Sequence, residues 1–364
     1  MNNKTIYIET YGCSSNQADS QIMINLLEKG GYKVTDDETD ADYLIMNTCA
    51  VKHKTEEKII YKLKDLSKLN KKVIIAGCLT KVNPERIKKV LPNFAGMLDP
   101  NSIYDIVNMF KEIENGNKGI TKTSNVPKFL STGSSAKNFV KVINISGGCL
   151  SRCSFCATKL ARGNLVSYKI GDIKRDFEKA VNDGYKTIHL SSQDTGCYGF
   201  DVKTNLPELL DELTTIQGDY KIRVGMMNPW HVIKILPSLI HSYKSDKIQK
   251  FLHVPVQSGS ERILKHMLRV HTVNNFKLIV NEFRKNFTDI DIATDVIVGY
   301  PLEDENDFQS TYSLIEEIKP EVLNISMFSS RKGTKASLLK QLPTEIVRKR
   351  STLMFNLYKS YRRN

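Results

Sequence analysis

Residues Gly147–Cys156 read GGCLSRCSFC, and the number of metal ligands in this stretch governs the rest of the reading. Cys149, Cys153 and Cys156 follow a glycine pair in a C-x-x-x-C-x-x-C spacing. A structural zinc site takes four ligands, and protein-held cubane iron–sulfur clusters usually take four thiolates. This group stops at three. With three thiolates, one iron of a cubane keeps an open position for a small molecule, just as an open position separates catalytic from structural zinc. No second C-x-x-C and no nearby histidine completes a zinc site; the closest histidine, His189, lies beyond an intervening helical segment. A zinc-stabilised RNA-binding protein is the alternative from a different class.

Outward from the triplet, six strand-like runs alternate with helical segments. They are FVKVINIS (139–146), TIHLSS (187–192), KIRVGM (221–226), KFLHVPV (250–256), DIATDVIVG (291–299) and VLNISMF (322–328). Strands alternating with helices imply a parallel sheet. Six units are too few for a complete eight-stranded barrel, so an open, partial (β/α)6 barrel is expected. The runs end in polar or glycine-containing turns (SGGC, SSQDTGCYG, MNP, PVQSGS, GYPLED and FSSRKGT) that would share one rim. The cysteine triplet lies in the first.

The N-terminal third also alternates strands and helices. IYIET (6–10), YLIMN (43–47) and KVIIAG (72–77) read as buried strands, with helical periodicity over SNQADSQIMINLLEKGG and over 52–70. Cys13, Cys49 and Cys78 each fall just beyond one of these strands. In an open parallel α/β sheet of the Rossmann-like kind, those ends share one edge, and ligands bind in the crevice beyond it. Either these are three unrelated buried cysteines or they form a shared metal site; three placements out of three favour the shared site. The stretch ENGNKGITKTSNVPKFLSTGSSAK (114–137) loses the pattern and reads as a linker.

A chain of 364 residues, 40% hydrophobic and 26% charged, fits a globular protein of two domains. Its excess of basic side chains, a formal +13, suits a polyanionic partner or a lysine-rich solvated surface. No apolar run is long enough to span a bilayer, and the N-terminus lacks the apolar core of a signal peptide, so a cytoplasmic protein without a membrane partner is expected. Seven cysteines, an odd number, do not make a disulfide framework.

With Phe155 ahead of the third cysteine, the triplet resembles that of the radical S-adenosylmethionine superfamily. The resemblance implies that the methionine end of the cofactor chelates the open iron and that one electron then cleaves the sulfonium. The leading TYGC, NTCAV and AGC motifs, followed by this barrel, resemble the methylthiotransferase family. So do ARG (161–163), SSQDTGCYGFD (191–201), HVPVQSGS (253–260), TDVIVGYP (294–301) and FSSRKGT (328–334). TYGCSSNQADSQIM, NTCAVKHKTEEK and ARGNLVSY are most similar to the archaeal and eukaryotic threonylcarbamoyladenosine branch. The implied activity is methylthiolation of C2 of N6-threonylcarbamoyladenosine at position 37 of tRNA. Isopentenyladenosine in tRNA and an aspartate of a ribosomal protein are the alternatives within the family.

The resemblance further implies two [4Fe-4S] clusters, one on Cys149, Cys153 and Cys156 and a second on Cys13, Cys49 and Cys78. S-adenosylmethionine serves as radical source and methyl donor, and tRNA, an electron donor and a sulfur donor are the partners. Phe155, Gln193, Asp194, Gln257, Ser258, Val298, Gly299 and Pro301 fall where cofactor contacts are expected, although simple turn chemistry accounts equally for Gly299 and Pro301. Cys197 reads as buried rather than as a ligand, and His189 and His253 as structural. Arg162 reads either as a phosphate or cofactor contact or as a surface ion pair. The expected segments are 1–113 (auxiliary cluster), 114–137 (linker), 138–344 (barrel) and 345–364, a basic helix packing Leu353, Phe355 and Leu357. The family usually ends in a TRAM barrel that binds RNA, and none is expected within 345–364, whether the chain naturally lacks it or the sequence is shortened.

Overall fold

The computed structural model describes residues 4–51, 53–69, 71–133 and 140–362. They form two compact units: one holds the chain through Cys149 together with Ala157–Tyr185, the other Leu150–Cys156 together with the chain from Lys186.

The first unit begins with β1 (Thr5–Thr10), α1 (Ser14–Lys29), β2 (Lys33–Thr35), β3 (Tyr43–Thr48), α2 (His53–Leu66) and β4 (Lys72–Gly77). It continues with α3 (Leu79–Val82), α4 (Pro84–Val90), β5 (Gly96–Leu98), α5 (Ile106–Glu114) and β6 (Ile120–Lys122). These strands make one six-stranded sheet in the order β2-β1-β3-β4-β5-β6, with every pair parallel. All six residues of β3 are buried, as expected of a central strand covered on both faces. Its alternation feeds two cores. Leu44 and Met46 join Ile59 and Leu63 of α2; Tyr43 and Ile45 join Met23 and Leu27 of α1 and Phe110 of α5.

The stretch read as a linker contributes β6, whose Ile120 and Thr121 pair with Gly96 and Met97 of β5. Two β-branched residues suffice for a short edge strand inside an otherwise polar segment. Residues 134–137 of that stretch, like Phe139 of the first barrel run, lie outside the described residues. The same unit also holds β7 (Val140–Asn144), β8 (Ser146–Gly147), α6 (Ala157–Arg162), β9 (Val166–Ser167, antiparallel to β8) and α7 (Ile170–Asn182).

The second unit runs β10 (Thr187–Ser191), α8 (Leu206–Thr214), β11 (Lys221–Val224), α9 (Pro229–Tyr243) and β12 (Phe251–His253). It continues α10 (Glu261–His266), α11 (Val273–Asn286), β13 (Asp291–Val298), α12 (Glu305–Ile318), β14 (Val322–Met327) and α13 (Thr344–Arg362). β10 pairs with β11, and β12 with β13 and β13 with β14, always parallel. A parallel bridge from Ile222 to Ile248 carries the ladder from β11 towards β12. The helices cover the strands with apolar stripes such as Phe276, Ile279, Val280 and Phe283 of α11. These strands are five of the six expected runs, arranged as a parallel α/β wall; the first run, β7, falls in the first unit.

α13 confirms the helical reading of the C-terminal segment but not its buried face. Val347, Arg350, Met354 and Leu357 turn inward, while Leu353 and Phe355 are 38% and 53% exposed. The register follows Arg350, whose Nη1 donates to Glu303 Oε2 at 2.8 Å and to the Glu303 carbonyl at 3.0 Å. Among the described residues no helix is long and apolar enough to cross a membrane.

Candidate functional site

β1, β3 and β4 are neighbours in the sheet and run the same way, so their ends deliver Cys13, Cys49 and Cys78 to one edge. Cys49 and Cys78 are buried and Cys13 is exposed. Asn16, wholly buried in α1, organises the three turns. Its Nδ2 donates to the carbonyls of Tyr11 at 2.8 Å and Thr48 at 2.9 Å. Its Oδ1 lies 3.9 Å from Cys13 Sγ and 3.8 Å from Cys78 Sγ. Asn47 donates to the Asn16 carbonyl and to Ser20 Oγ, both at 2.8 Å. The Val51 amide donates to Cys49 Sγ at 3.4 Å.

Arg162 of α6 supplies the charge. Its guanidinium donates to Asn16 Oδ1 at 3.0 Å and is ion-paired with Asp19. Both side chains are buried, so the ion pair of Arg162 is an internal one rather than the surface pair anticipated from its position. Burial acts to lower the Arg162 pKa, but Asp19, Cys78 and Cys13 together hold it well above its ordinary value. Burial pushes the Asp19 carboxyl up, against the pull of Arg162. Cys78 is pushed up to about 12 by burial, which Arg162 opposes. A thiol in such a place becomes a thiolate when a metal arrives, since metal coordination deprotonates it outright. Two sulfurs beside the Asn16 amide and a third on the neighbouring turn next to Gly12, with a cation behind them, fit a soft, sulfur-liking centre that takes three protein ligands.

The triplet is divided between the units. In the first, the Cys149 amide donates to the Gly163 carbonyl at 3.3 Å, and Lys159 Nζ donates to the Cys149 carbonyl. In the second, Ser154 anchors the loop that carries Cys153 and Cys156. Its amide donates to the Met267 carbonyl and its carbonyl accepts from the Ala336 amide, both at 2.9 Å. Its hydroxyl lies 3.0 Å from Tyr300 Oη, which donates to the His266 carbonyl. Phe155 packs on Ile263, Met267, Tyr300 and Ala336. Buried Arg269 approaches Cys153 Sγ with Nη1 at 3.6 Å, while its Nη2 donates to the Pro255 carbonyl at 2.7 Å. Within the second unit, Cys153 thus presents its sulfur beside a buried cation, a setting that suits an iron–sulfur ligand.

The remaining candidates occupy the turns after β10, β12 and β13. Asp194 is buried and accepts from the amides of Gly196 at 3.1 Å and Asn228 at 3.0 Å; its other oxygen meets His231 Nδ1 at 2.7 Å. Its carboxylate thus braces the rim from inside, and Gln193 precedes it. Asn228 caps α9 through Trp230 and reaches Ser151 Oγ at 3.0 Å. Gln257 is held at φ 73, a strained setting for a side chain other than glycine or asparagine and one that concentrates at ligand sites. Ser258 is fully buried, 3.2 Å from Thr311 Oγ1. Val298 and Pro301 are buried. A Cβ on Gly299 would meet Val347 of α13 at 2.6 Å, so packing accounts for that glycine without a ligand. Cys197 is buried, with Sγ 3.2 Å from the Asp194 carbonyl. Among the described residues, which include all seven cysteines, there is no disulfide.

Asn16, Asp19, Arg269, Asn228 and His231 were not singled out from the sequence. For Asn16 and Asp19 a signal existed: they share the buried face of α1 with Met23 and Leu27, and polar side chains at core positions need a reason.

Residues 5–99 match the model of the Uncharacterized protein family UPF0004, and 143–315 that of the Radical SAM superfamily. A "Probable threonylcarbamoyladenosine tRNA methylthiotransferase" of Pyrococcus abyssi is 45% identical over 97% of this chain and 83% of its own length. The chain belongs to the methylthiotransferase family of radical S-adenosylmethionine enzymes. The "Threonylcarbamoyladenosine tRNA methylthiotransferase" of Homo sapiens is 33% identical over 98% of this chain and 62% of its own length. In fold, the chain is similar to the radical S-adenosylmethionine methyltransferase TsrM of Kitasatospora setae (TM-score 0.66, 12% identity, 93% of this chain and 77% of that one). It is also similar to the cobalamin-dependent radical enzyme OxsB (TM-score 0.63, 11% identity, 98% and 56%). Membership makes the chain an enzyme that works with a [4Fe-4S] cluster and S-adenosylmethionine.

Proposed function

We propose that this methylthiotransferase converts N6-threonylcarbamoyladenosine at position 37 of tRNA to its 2-methylthio form in the cytoplasm. The observation that carries the reading is the similarity over nearly the whole chain to archaeal and eukaryotic proteins named for that substrate. The adenine C2–H is too weakly acidic for a side-chain base, and S-adenosylmethionine, when bound, would supply the radical chemistry that such a bond requires.

The protein's own contribution is holding and orienting. Cys149, Cys153 and Cys156 hold the radical-generating cluster; Ser154 fixes their loop and Arg269 lends it positive charge. Cys13, Cys49 and Cys78 would hold a second cluster, which would supply a place for the sulfur, and Asn16 sets the spacing of their turns. Gln193, Asp194, Gln257 and Ser258 would orient the polar parts of S-adenosylmethionine, and Phe155, Val298 and Pro301 would wall its apolar side. The target base leaves its stack to reach such a site. An electron donor and a sulfur donor complete the reaction. Residues 1–113 carry the sulfur chemistry and 138–344 the radical chemistry.

Mass analysis of tRNA nucleosides from a deletion strain tests the reading. Loss of the 2-methylthio form of threonylcarbamoyladenosine, restored by the wild-type gene, is expected. An unchanged tRNA profile beside an unmodified ribosomal protein overturns it.

A further inference from the structure

Each thiol group has one buried arginine beside it, and the two arginines differ in one respect. Arg162, next to Cys13 and Cys78 through Asn16, is ion-paired with buried Asp19. Arg269, 3.6 Å from Cys153 Sγ, gives its other nitrogen to the Pro255 carbonyl, and no acidic side chain pairs with it among the described residues. A cation close to a cluster favours the reduced form, which carries one more negative charge. A cation paired with a carboxylate loses part of that effect, and burial keeps either influence from being screened.

We infer that Asp19 offsets part of the Arg162 charge beside the Cys13–Cys49–Cys78 site while the Arg269 charge beside Cys153 has no such partner, so the N-terminal cluster is the harder of the two to reduce. An electron from the donor then settles on the cluster that binds S-adenosylmethionine, and the sulfur-carrying one stays oxidised. Asp19 and Arg162 are positioning residues in this scheme. The inference rests on the reading that Cys13, Cys49 and Cys78 hold a cluster.

The test is a dithionite titration, followed by electron paramagnetic resonance, of full-length protein with Cys149, Cys153 and Cys156 all replaced by Ala and reconstituted with iron and sulfide. Adding Asp19→Asn is expected to raise the reduced-to-oxidised ratio at a fixed potential about tenfold, which is about 59 mV for a one-electron couple. Adding Arg162→Gln as well reverses that rise and returns the ratio to the starting value or below. A second arm leaves Asp19 alone: in protein with Cys13, Cys49 and Cys78 replaced by Ala, Arg269→Gln lowers the potential of the remaining cluster. No shift with Asp19→Asn, no return with the double change, or no fall with Arg269→Gln overturns the inference. Loss of all iron from the first background overturns instead the reading on which it rests.

Discussion

Gly12 lies at φ +113, and a Cβ there would meet Cys49 Cβ at 2.9 Å and Cys49 Sγ at 3.1 Å. The residue before Cys13 must therefore be small and left-handed for the thiols to gather. Gly12→Ala is expected to cost about 1–3 kcal/mol, read as a lower urea midpoint at unchanged slope, together with reduced iron on the N-terminal thiols. His271 shows what burial does to a titrating group. Burial, with the Arg269 charge adding to it, depresses its pKa to about 3. The unfolded chain takes up this proton near pH 6.5 and the folded protein does not. Stability is thus complete above about pH 6.5 and falls towards pH 3, by up to about 1.4 kcal/mol per pH unit from this group. His271→Gln should flatten that part of the urea midpoint–pH curve. The Cys–Gly pairing was legible in the sequence as YGC, AGC and GGC; the environment of His271 was not, because it depends on residues far along the chain.

At the scale of elements, the strands were the most legible feature. Runs of Ile, Val, Leu and Met bounded by turns marked β1, β3, β4 and β10–β14, since buried parallel strands are apolar on both faces. Short edge strands such as β6 were missed, for three residues carry no period. The face of α13 was misread because its stripe contains a charge. Arg350 occupies a core position only because Glu303 meets it there, with the Glu303 Oε2 also accepting from the Gly299 amide at 2.6 Å. Arg350→Ala leaves that carboxylate buried without its cation and should cost about 3–5 kcal/mol. Arg350→Met together with Glu303→Gln should cost clearly less. Denaturant unfolding of the three proteins decides, and equal losses would show that the pair does not fix the helix.

For the molecule as a whole, the expected result is about eight irons per chain after anaerobic reconstitution, from two cubanes of four. Replacing Cys49 by Ala should remove up to half of them and abolish sulfur insertion while cofactor cleavage persists. Colourless protein with stoichiometric zinc would instead revive the zinc-stabilised alternative. The order of motifs along the chain was enough to identify the family and its two groups of three thiols, because covalent spacing and strand ends are local properties. What accompanies those thiols came only from the tertiary structure. Arg162 lies 146 residues from Asn16 and Arg269 lies 116 from Cys153, and no period or spacing links residues so far apart. Whether a buried cation has an anion beside it is decided by packing, which the linear order of residues leaves open.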